Sequence, residues 1–382
     1  MTKDLIKSNL RVLDTFRGLA ALYVLFGHAR WLLWEGYAEG YRLHPEAYSW
    51  FDKGCMYAFG LFRYGHQAVI FFFVLSGFVI HYSTSRQIDK AERFDIPKYL
   101  FKRVKRLYPP LIAAICILLV LEWWGKRLQF PIYFGATPYA LINQLIRGNA
   151  DWKTVLGNLT FLQGVYTPVL GTDGPLWSLM YEWWFYILYI PVILCFRKSK
   201  TWTCVAVFVL WIVNSRWNLP PLLFTMVFKY FLSWFTGMLL ADHLLYQKDK
   251  ALLFIFLGLE FCAAAIFYHT DFGQDTLLAV PITVLFYFVL TNRFFSPMQR
   301  LGGGGFSYTL YVIHFPMLCF LSGYVMKTHD GRLPAHFQFV IAGILLAVAV
   351  AWLLHFIVEK PFISGPIKSL SPAQGHLETK TV

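Results

Sequence analysis

The first long apolar stretch of the sequence, at about 12–34, contains Arg17 and His28. Ionisable side chains inside a membrane segment need a partner or a function, because each is costly to bury there. The two residues are eleven positions apart, so on an α-helix they share one face, about 16 Å apart along the axis. This arrangement suits an elongated anionic ligand that reaches the imidazole. Alternatively, Arg17 extends to lipid headgroups and His28 hydrogen-bonds to neighbouring backbone.

A basic cluster precedes the third apolar stretch, in the segment KYLFKRVKRLYPP at 98–110. Arg103 and Arg106 are at positions i and i+3 and therefore share a helix face. Two guanidinium groups on one face can bind a phosphate through charge-assisted, bidentate hydrogen bonds. The same cluster could instead contact anionic lipid headgroups, and the residues alone favour this lipid contact.

Two more ionisable residues lie within apolar segments. Glu182 is in GTDGPLWSLMYEWWFY at 171–186, and His314 is in GGGGFSYTLYVIHFP at 302–316. An unpaired carboxylate in hydrocarbon is costly, so Glu182 must find a partner. Its expected depth matches that of His28, which it could orient as a general base. The alternative is a structural contact between helices.

These residues need a scaffold of long apolar helices. The chain has 382 residues, of which 57% are hydrophobic and only 14% are charged, against roughly 45–50% and 25% in ordinary globular proteins. This composition excludes a soluble globular protein, and the 19% of aromatic residues excludes a disordered chain. The sequence therefore predicts an all-α fold, a polytopic membrane helical bundle.

About ten apolar segments are candidates for transmembrane helices. They lie at about 12–34, 65–82, 108–124, 174–196, 201–214, 222–245, 252–269, 276–291, 305–326 and 335–357. If the amino terminus is cytoplasmic, the loops on that side hold 21 Lys and Arg, against 11 on the other side. This bias predicts that both termini are cytoplasmic, and it explains the net charge of +13 without nucleic-acid binding.

The sequence predicts one folded unit and a tail. Residues 1–364 are expected to form the transmembrane domain, and the polar residues 365–382 a disordered cytoplasmic tail. Two outer loops, at about 35–64 and 125–173, are rich in Trp, Tyr, Gly and Pro, and we expect them to fold back over the membrane domain. The His and Cys residues lack the spacing of metal ligands, so no metal is expected.

Six motifs together resemble the acyltransferase-3 family of integral membrane acyltransferases. They are RGLAALYVLFGHA at 17–29, FFFVLSGFVI at 71–80, RVKR at 103–106, PLWSLMYEWWFY at 175–186, SYTLYVIHFP at 307–316 and VEKPF at 358–362. No single motif is specific, but their order along nearly the whole chain is. The chain departs from many members at Met180 and Tyr181 and in its aromatic outer loops, and this departure concerns the acceptor more than the chemistry.

The resemblance implies a membrane-bound O-acyltransferase of a bacterial cytoplasmic (inner) membrane. It implies transfer of an acyl group, most often acetyl, from cytoplasmic acyl-CoA to a hydroxyl of a carbohydrate or lipid-linked glycan. By the same resemblance His28 is catalytic, and Glu182, from its expected depth, is the second predicted catalytic residue, which orients His28 or places the acceptor hydroxyl. The residues expected to bind acyl-CoA are Arg17, Arg103 and Arg106. Acceptor-binding or supporting roles are expected for Trp177, Ser178, Tyr311 and His314.

The alternative function is a proton-coupled or polysaccharide-related membrane transporter, because intramembrane Arg, His and Glu also line carriers. A carrier predicts inverted repeats with broken helices, which the sequence does not show. The expected partners are therefore acyl-CoA, a glycan acceptor and membrane lipids, without nucleic acid. The sequence leaves open direct transfer or an acyl-histidine intermediate, and a monomer or a homodimer.

Overall fold

A computed structural model of the chain describes residues 3–146, 150–217, 220, 222–302 and 304–362. Within these ranges the chain forms thirteen α-helices, joined by short 3-10 turns, one π turn and loops, and no β-strand. The helices are α1 (Lys3–Leu33), α2 (Trp50–Phe59), α3 (Gly65–Ala91), α4 (Ile96–Arg127), α5 (Ala140–Leu145), α6 (Trp152–Leu159), α7 (Trp177–Lys198), α8 (Lys200–Arg216), α9 (Leu223–Tyr246), α10 (Lys250–Ile266), α11 (Asp271–Thr291), α12 (Ser307–Thr328) and α13 (Gln338–Val358). The predicted tail at 365–382 lies outside the described residues.

Seven of the described helices are long and apolar enough to cross a membrane: α3, α4, α7 with the turn before it, α9, α11, α12 and α13. The prediction of an all-helical bundle is confirmed. The other three predicted spans coincide with α1, α8 and α10. Because α8 and α10 have 17 residues each, each extends about 26 Å, less than the roughly 30 Å of a hydrocarbon core. The count of ten spans stays a prediction.

The ends of the long helices lie on two opposite sides of the bundle. We call the side at which α1 begins the N-side, and the opposite one the far side. At the N-side the buried Asn9 amide donates hydrogen bonds to the carbonyl oxygens of Val289 (2.8 Å) and Asn292 (2.9 Å) at the end of α11. These bonds join the first helix to the last third of the chain and satisfy polar groups that would be costly to bury unpaired.

The central helix α12 packs against α1, α4 and α13. Its first turn is held by Glu359, which follows α13 and is buried. The Glu359 carboxylate accepts hydrogen bonds from the Thr309 hydroxyl (2.6 Å) and backbone N–H (3.2 Å), where the helix dipole favours a negative charge. The VEKPF motif therefore fixes the start of the helix that carries Tyr311 and His314.

Helices α3 and α9 approach so closely that their backbones touch. A Cβ atom at Gly77 would lie 1.8 Å from the carbonyl oxygen of Trp234, and one at Gly237 would lie 2.0 Å from that of Val74. Glycine at such a crossing permits close packing, which is a common way for membrane helices to associate. This contact positions α3, which forms one wall of the cavity described below.

We expect Gly237→Ala to lower the melting temperature of the purified protein by several degrees. The added Cβ would collide with backbone, and overpacking of this kind costs roughly 1–3 kcal/mol. Gly258→Ala in α10 is the matched control, because nothing lies within 4 Å of a Cβ there and alanine favours a helix by about 1 kcal/mol. Equal melting temperatures for the two variants would contradict the close crossing.

Candidate active site

His28 of α1 and His314 of α12 form a histidine pair. The Nδ1 atom of His28 lies 2.8 Å from Nε2 of His314. His314 is fully buried, whereas His28 keeps part of its surface exposed. The edge of Phe315 packs against the His28 ring, with the ring centroids 4.9 Å apart. His28 is therefore held by His314 and Phe315, while part of its surface stays accessible.

The hydrogen bonds of His314 determine which nitrogen of His28 is basic. Nδ1 of His314 lies 2.8 Å from the carbonyl oxygen of Tyr311 and 3.0 Å from that of Leu310. Carbonyl oxygens only accept, so this nitrogen carries a proton and Nε2 of His314 is an acceptor. The Nδ1–H of His28 then donates to it, which leaves Nε2 of His28 with a free lone pair. An imidazole held in this tautomer can remove a proton from a hydroxyl group.

Arg17 and His28 both contact α12. They therefore share one face of α1, as their spacing of eleven residues predicted. The Arg17 guanidinium donates hydrogen bonds to the Gly304 carbonyl oxygen (2.6 Å) and to Oγ of Ser307 (3.0 Å), and it pairs with Asp14 (3.2 Å). Arg17 therefore binds the start of α12 rather than extending freely to lipid headgroups. One side of its side chain still lines a cavity in the bundle.

This central cavity lies between α1, α3, α4, α7 and α12. Arg17 and Arg106 line its N-side part, and Ser178 and Tyr311 line its far end, with Glu182 between them. Its volume is about 80 Å³, well below the roughly 300–1,000 Å³ of typical ligand pockets. The cavity in this conformation therefore admits a narrow group rather than a whole coenzyme.

Glu182 does not contact His28, so the predicted His28–Glu182 pair is not formed. The Glu182 carboxylate accepts a hydrogen bond from the Tyr186 hydroxyl one helical turn later. It shares the cavity with Arg106, whose positive charge it compensates. A partly buried carboxylate is stabilised by a cation in the same cavity, and His314 takes the place beside His28 that was predicted for Glu182.

Arg103 and Arg106, the two arginines of the RVKR motif, line two different cavities. Tyr186 lies between these cavities. Arg106 lines the central cavity, whereas Arg103 stacks over the rings of Tyr99 (5.0 Å) and Tyr186 (5.5 Å). Arg103 also lines a hollow of about 340 Å³ at the N-side. The other basic side chains that line this hollow are Lys90, Arg93, Lys98 and Lys102. The arginines therefore do not form one bidentate clamp in this conformation.

Ser178 and Tyr311 bring two hydroxyl groups together at the far end of the central cavity. Their oxygens are 2.8 Å apart, and the carbonyl oxygen of Pro175 lies within reach of both, at 3.2 Å from Ser178 and 3.4 Å from Tyr311. The Tyr311 ring centroid lies 6.0 Å from that of His314. The hydroxyl pair therefore lies next to the histidine pair.

Trp177, for which an acceptor-binding or supporting role was predicted, does not line the central cavity. Its ring stacks on His66, with the centroids 5.2 Å apart, and packs against Tyr230 at 5.9 Å. His66 in turn contacts Asp275, with Nε2 of the ring 2.7 Å from the carboxylate. Trp177 belongs to this cluster, whereas its sequence neighbour Ser178 lines the central cavity. The two differ because adjacent residues point to different faces of a helix.

Sequence reasoning missed Tyr186 and Ser307. Tyr186 follows Glu182 by four positions, a spacing that brings a hydroxyl beside a carboxylate on a helix, so this signal was present. Ser307 follows the glycine segment at 302–305, of which Gly303 lies outside the described residues. Nothing in the local spacing indicates that Ser307 binds Arg17, because 290 positions separate the two residues.

A family model described as an acyltransferase domain matches residues 10–356 of the chain. No curated protein and no solved structure matches the chain. The matched range runs from α1 almost to the end of α13 and includes all the side chains that line the central cavity.

Proposed function

Because the chain belongs to the acyltransferase-3 family of membrane acyltransferases, we propose that it moves an acyl group from cytoplasmic acyl-CoA to a hydroxyl of a carbohydrate or lipid-linked glycan. The acyl group is most simply acetyl, since the central cavity is narrow. The observation that carries the proposal is the His28–His314 pair, which lies one ring beyond Tyr311 of the cavity that Arg17 and Arg106 also line.

In this proposal His28 is the general base. Its Nε2 atom takes the proton of the acceptor hydroxyl while the oxygen attacks the acyl carbonyl carbon. The new C–O bond forms, the C–S bond of the thioester breaks, and the electron pair leaves on sulfur, which receives the proton. His314 acts as a positioning residue that fixes the tautomer of His28. An acyl-histidine route would use the same nitrogen as the nucleophile.

The positive charges on the N-side support an anionic donor. The basic hollow beside Arg103 is large enough for a phosphate-bearing headgroup, and charge-assisted hydrogen bonds from Lys and Arg would bind its phosphates. The thioester arm would then extend past Tyr186 and Arg106 into the central cavity. There a hydroxyl group of the Ser178–Tyr311 pair would turn from the Pro175 carbonyl oxygen to donate to the acyl carbonyl oxygen as negative charge develops on it.

The proposal requires the N-side to face the cytoplasm of a bacterial cell, in agreement with the Lys and Arg distribution. We expect reporter fusions in the loop near position 90, between α3 and α4, and at the carboxyl terminus to report a cytoplasmic location. A periplasmic signal from either fusion would contradict this orientation.

Binding of CoA distinguishes a transferase from a polysaccharide carrier. We expect the melting temperature of the purified protein to rise with CoA concentration, since a ligand at about 100 times its Kd stabilises the folded state by roughly 2.7 kcal/mol. Pantetheine, which lacks the nucleotide phosphates, is the matched control and should stabilise much less. A melting temperature unaffected by CoA and by acetyl-CoA would argue for a carrier.

A further inference from the structure

A second cleft opens on the far side of the bundle, where the outer loops cover the ends of α1 and the α12–α13 connection. Its volume is about 520 Å³, within the range of roughly 300–1,000 Å³ typical of ligand sites. The steps proposed above for His28 and the donor do not use it. Its lining includes five aromatic and two acidic side chains: Trp31, Trp34, Tyr37, Tyr57, Tyr139, Glu35 and Glu39.

Trp31 connects this outer cleft to the histidine pair. It follows His28 by three positions on α1, and the two rings meet edge to face with centroids 6.2 Å apart. Trp31 also packs against Phe315, at 5.8 Å, and Phe315 in turn contacts His28. The outer cleft therefore ends one side chain away from His28, towards the far side, whereas the donor cavity lies towards the N-side.

The walls of the outer cleft are fixed by hydrogen bonds between distant segments. Nε1 of Trp34 donates to the carbonyl oxygen of Ala335 (2.8 Å), and the backbone N–H of Leu333 donates to the Tyr139 hydroxyl (2.8 Å). That hydroxyl in turn donates to the Glu35 carboxylate (3.4 Å). A preformed cleft loses less conformational entropy when a ligand binds. The hydrogen bonds that fix these walls therefore favour ligand binding.

The chemistry of the lining matches a carbohydrate. Tyr37 and Tyr57 are 57% and 75% exposed. Tyr41 packs against the Tyr37 ring, and the exposed ring surface that remains can pack against the apolar faces of sugar rings. Glu35 and Glu39 supply carboxylates that accept hydrogen bonds from sugar hydroxyls. Among the described residues of the lining, Arg30 is the one Lys or Arg. The carboxylates therefore outnumber it and oppose an anionic ligand.

We propose that the outer cleft is the acceptor site, that it binds a neutral or amine-bearing carbohydrate in preference to an anionic one, and that the acceptor hydroxyl reaches His28 alongside Trp31. The assignment as an acceptor site rests on the proposed function. Carbohydrate binding in the cleft is a property that can be measured without any transfer reaction.

Calorimetric titration of the purified full-length protein with three probes tests this inference. The probes are a neutral chito-oligosaccharide, its deacetylated amine-bearing form, and an anionic oligogalacturonate of equal length. We expect the first two to bind more tightly than the third. Tyr57→Ala and Glu35→Gln should each weaken binding about tenfold, whereas Trp50→Ala, at an exposed ring outside the lining, should not. CoA should stabilise all three variants as it does the parent protein.

Three outcomes would overturn the inference: no binding of any probe, tightest binding of oligogalacturonate, or affinities unchanged by Tyr57→Ala and Glu35→Gln. Failure of the proposed function gives a different result. In that case carbohydrate would bind and respond to these substitutions, but CoA would not stabilise the protein.

Discussion

Replacement of His28 by alanine is expected to lower the rate of acyl transfer by about 10²–10⁴-fold, the usual effect of losing a general base. CoA should still bind, because the cationic side chains that we expect to hold its phosphates lie on the N-side and do not contact His28. The variant frees Nε2 of His314, which accepted a hydrogen bond from His28, but the His314 ring is fully buried and its centroid lies 5.1 Å from that of His28 in the parent protein.

This prediction is checked by initial rates with acetyl-CoA and by CoA-dependent melting of the same preparations. His269→Ala is the matched control, because that exposed histidine lies after α10 and outside the site; it should leave the rate unchanged. Near-normal transfer by a well-folded His28→Ala protein would refute the assignment and would direct attention to His314.

Substitution of Arg106 by alanine is expected to weaken CoA binding about 10- to 100-fold, because the pantetheine arm is proposed to pass Arg106 and a hydrogen bond that involves a charged group contributes roughly 1.5–3 kcal/mol. The same change removes a positive charge from the cavity that Glu182 also lines, and a partly buried carboxylate without a nearby cation lowers the stability of the fold. The single variant therefore combines a binding defect with a folding defect.

A second variant separates these two effects. Arg106→Ala combined with Glu182→Gln removes both charges, so it should recover most of the lost stability without recovering CoA affinity. Arg106→Lys should have an intermediate CoA affinity, since lysine keeps the charge but loses the bidentate fork. The measurements are melting temperature and CoA affinity. Unchanged affinity in the Arg103→Ala/Arg106→Ala protein would show that this cluster contacts lipid instead of the donor.

The sequence predicted the helices well because their signals are local. Apolar runs in the sequence located the ten helices of 17 or more residues, and the rotation of 100° per residue put Arg17 and His28 on one face. Two 17-residue helices, α8 and α10, show the limit of the method. Composition indicates that such segments are buried in a bundle or in lipid, but it does not determine whether they span the membrane.

The contacts within the site could not be predicted to the same degree, because they depend on which helices are neighbours. His28 and His314 are 286 positions apart, and no spacing rule indicates that their rings meet. Glu182 was expected beside His28, but it lines the central cavity together with Arg106. Arg103 shares a helix face with Arg106 yet stacks on Tyr99 and Tyr186.

The central claim is that the protein transfers the acyl group of acyl-CoA to a carbohydrate. It is tested most directly with the purified protein in vesicles, using acetyl-CoA that carries its radioactive label in the acetyl group and an unlabelled carbohydrate acceptor. We expect label to appear on the carbohydrate as an alkali-labile ester, with release of one free CoA thiol for each ester formed. Label that stays on CoA, or that crosses the vesicle membrane as intact acetyl-CoA, would contradict the claim.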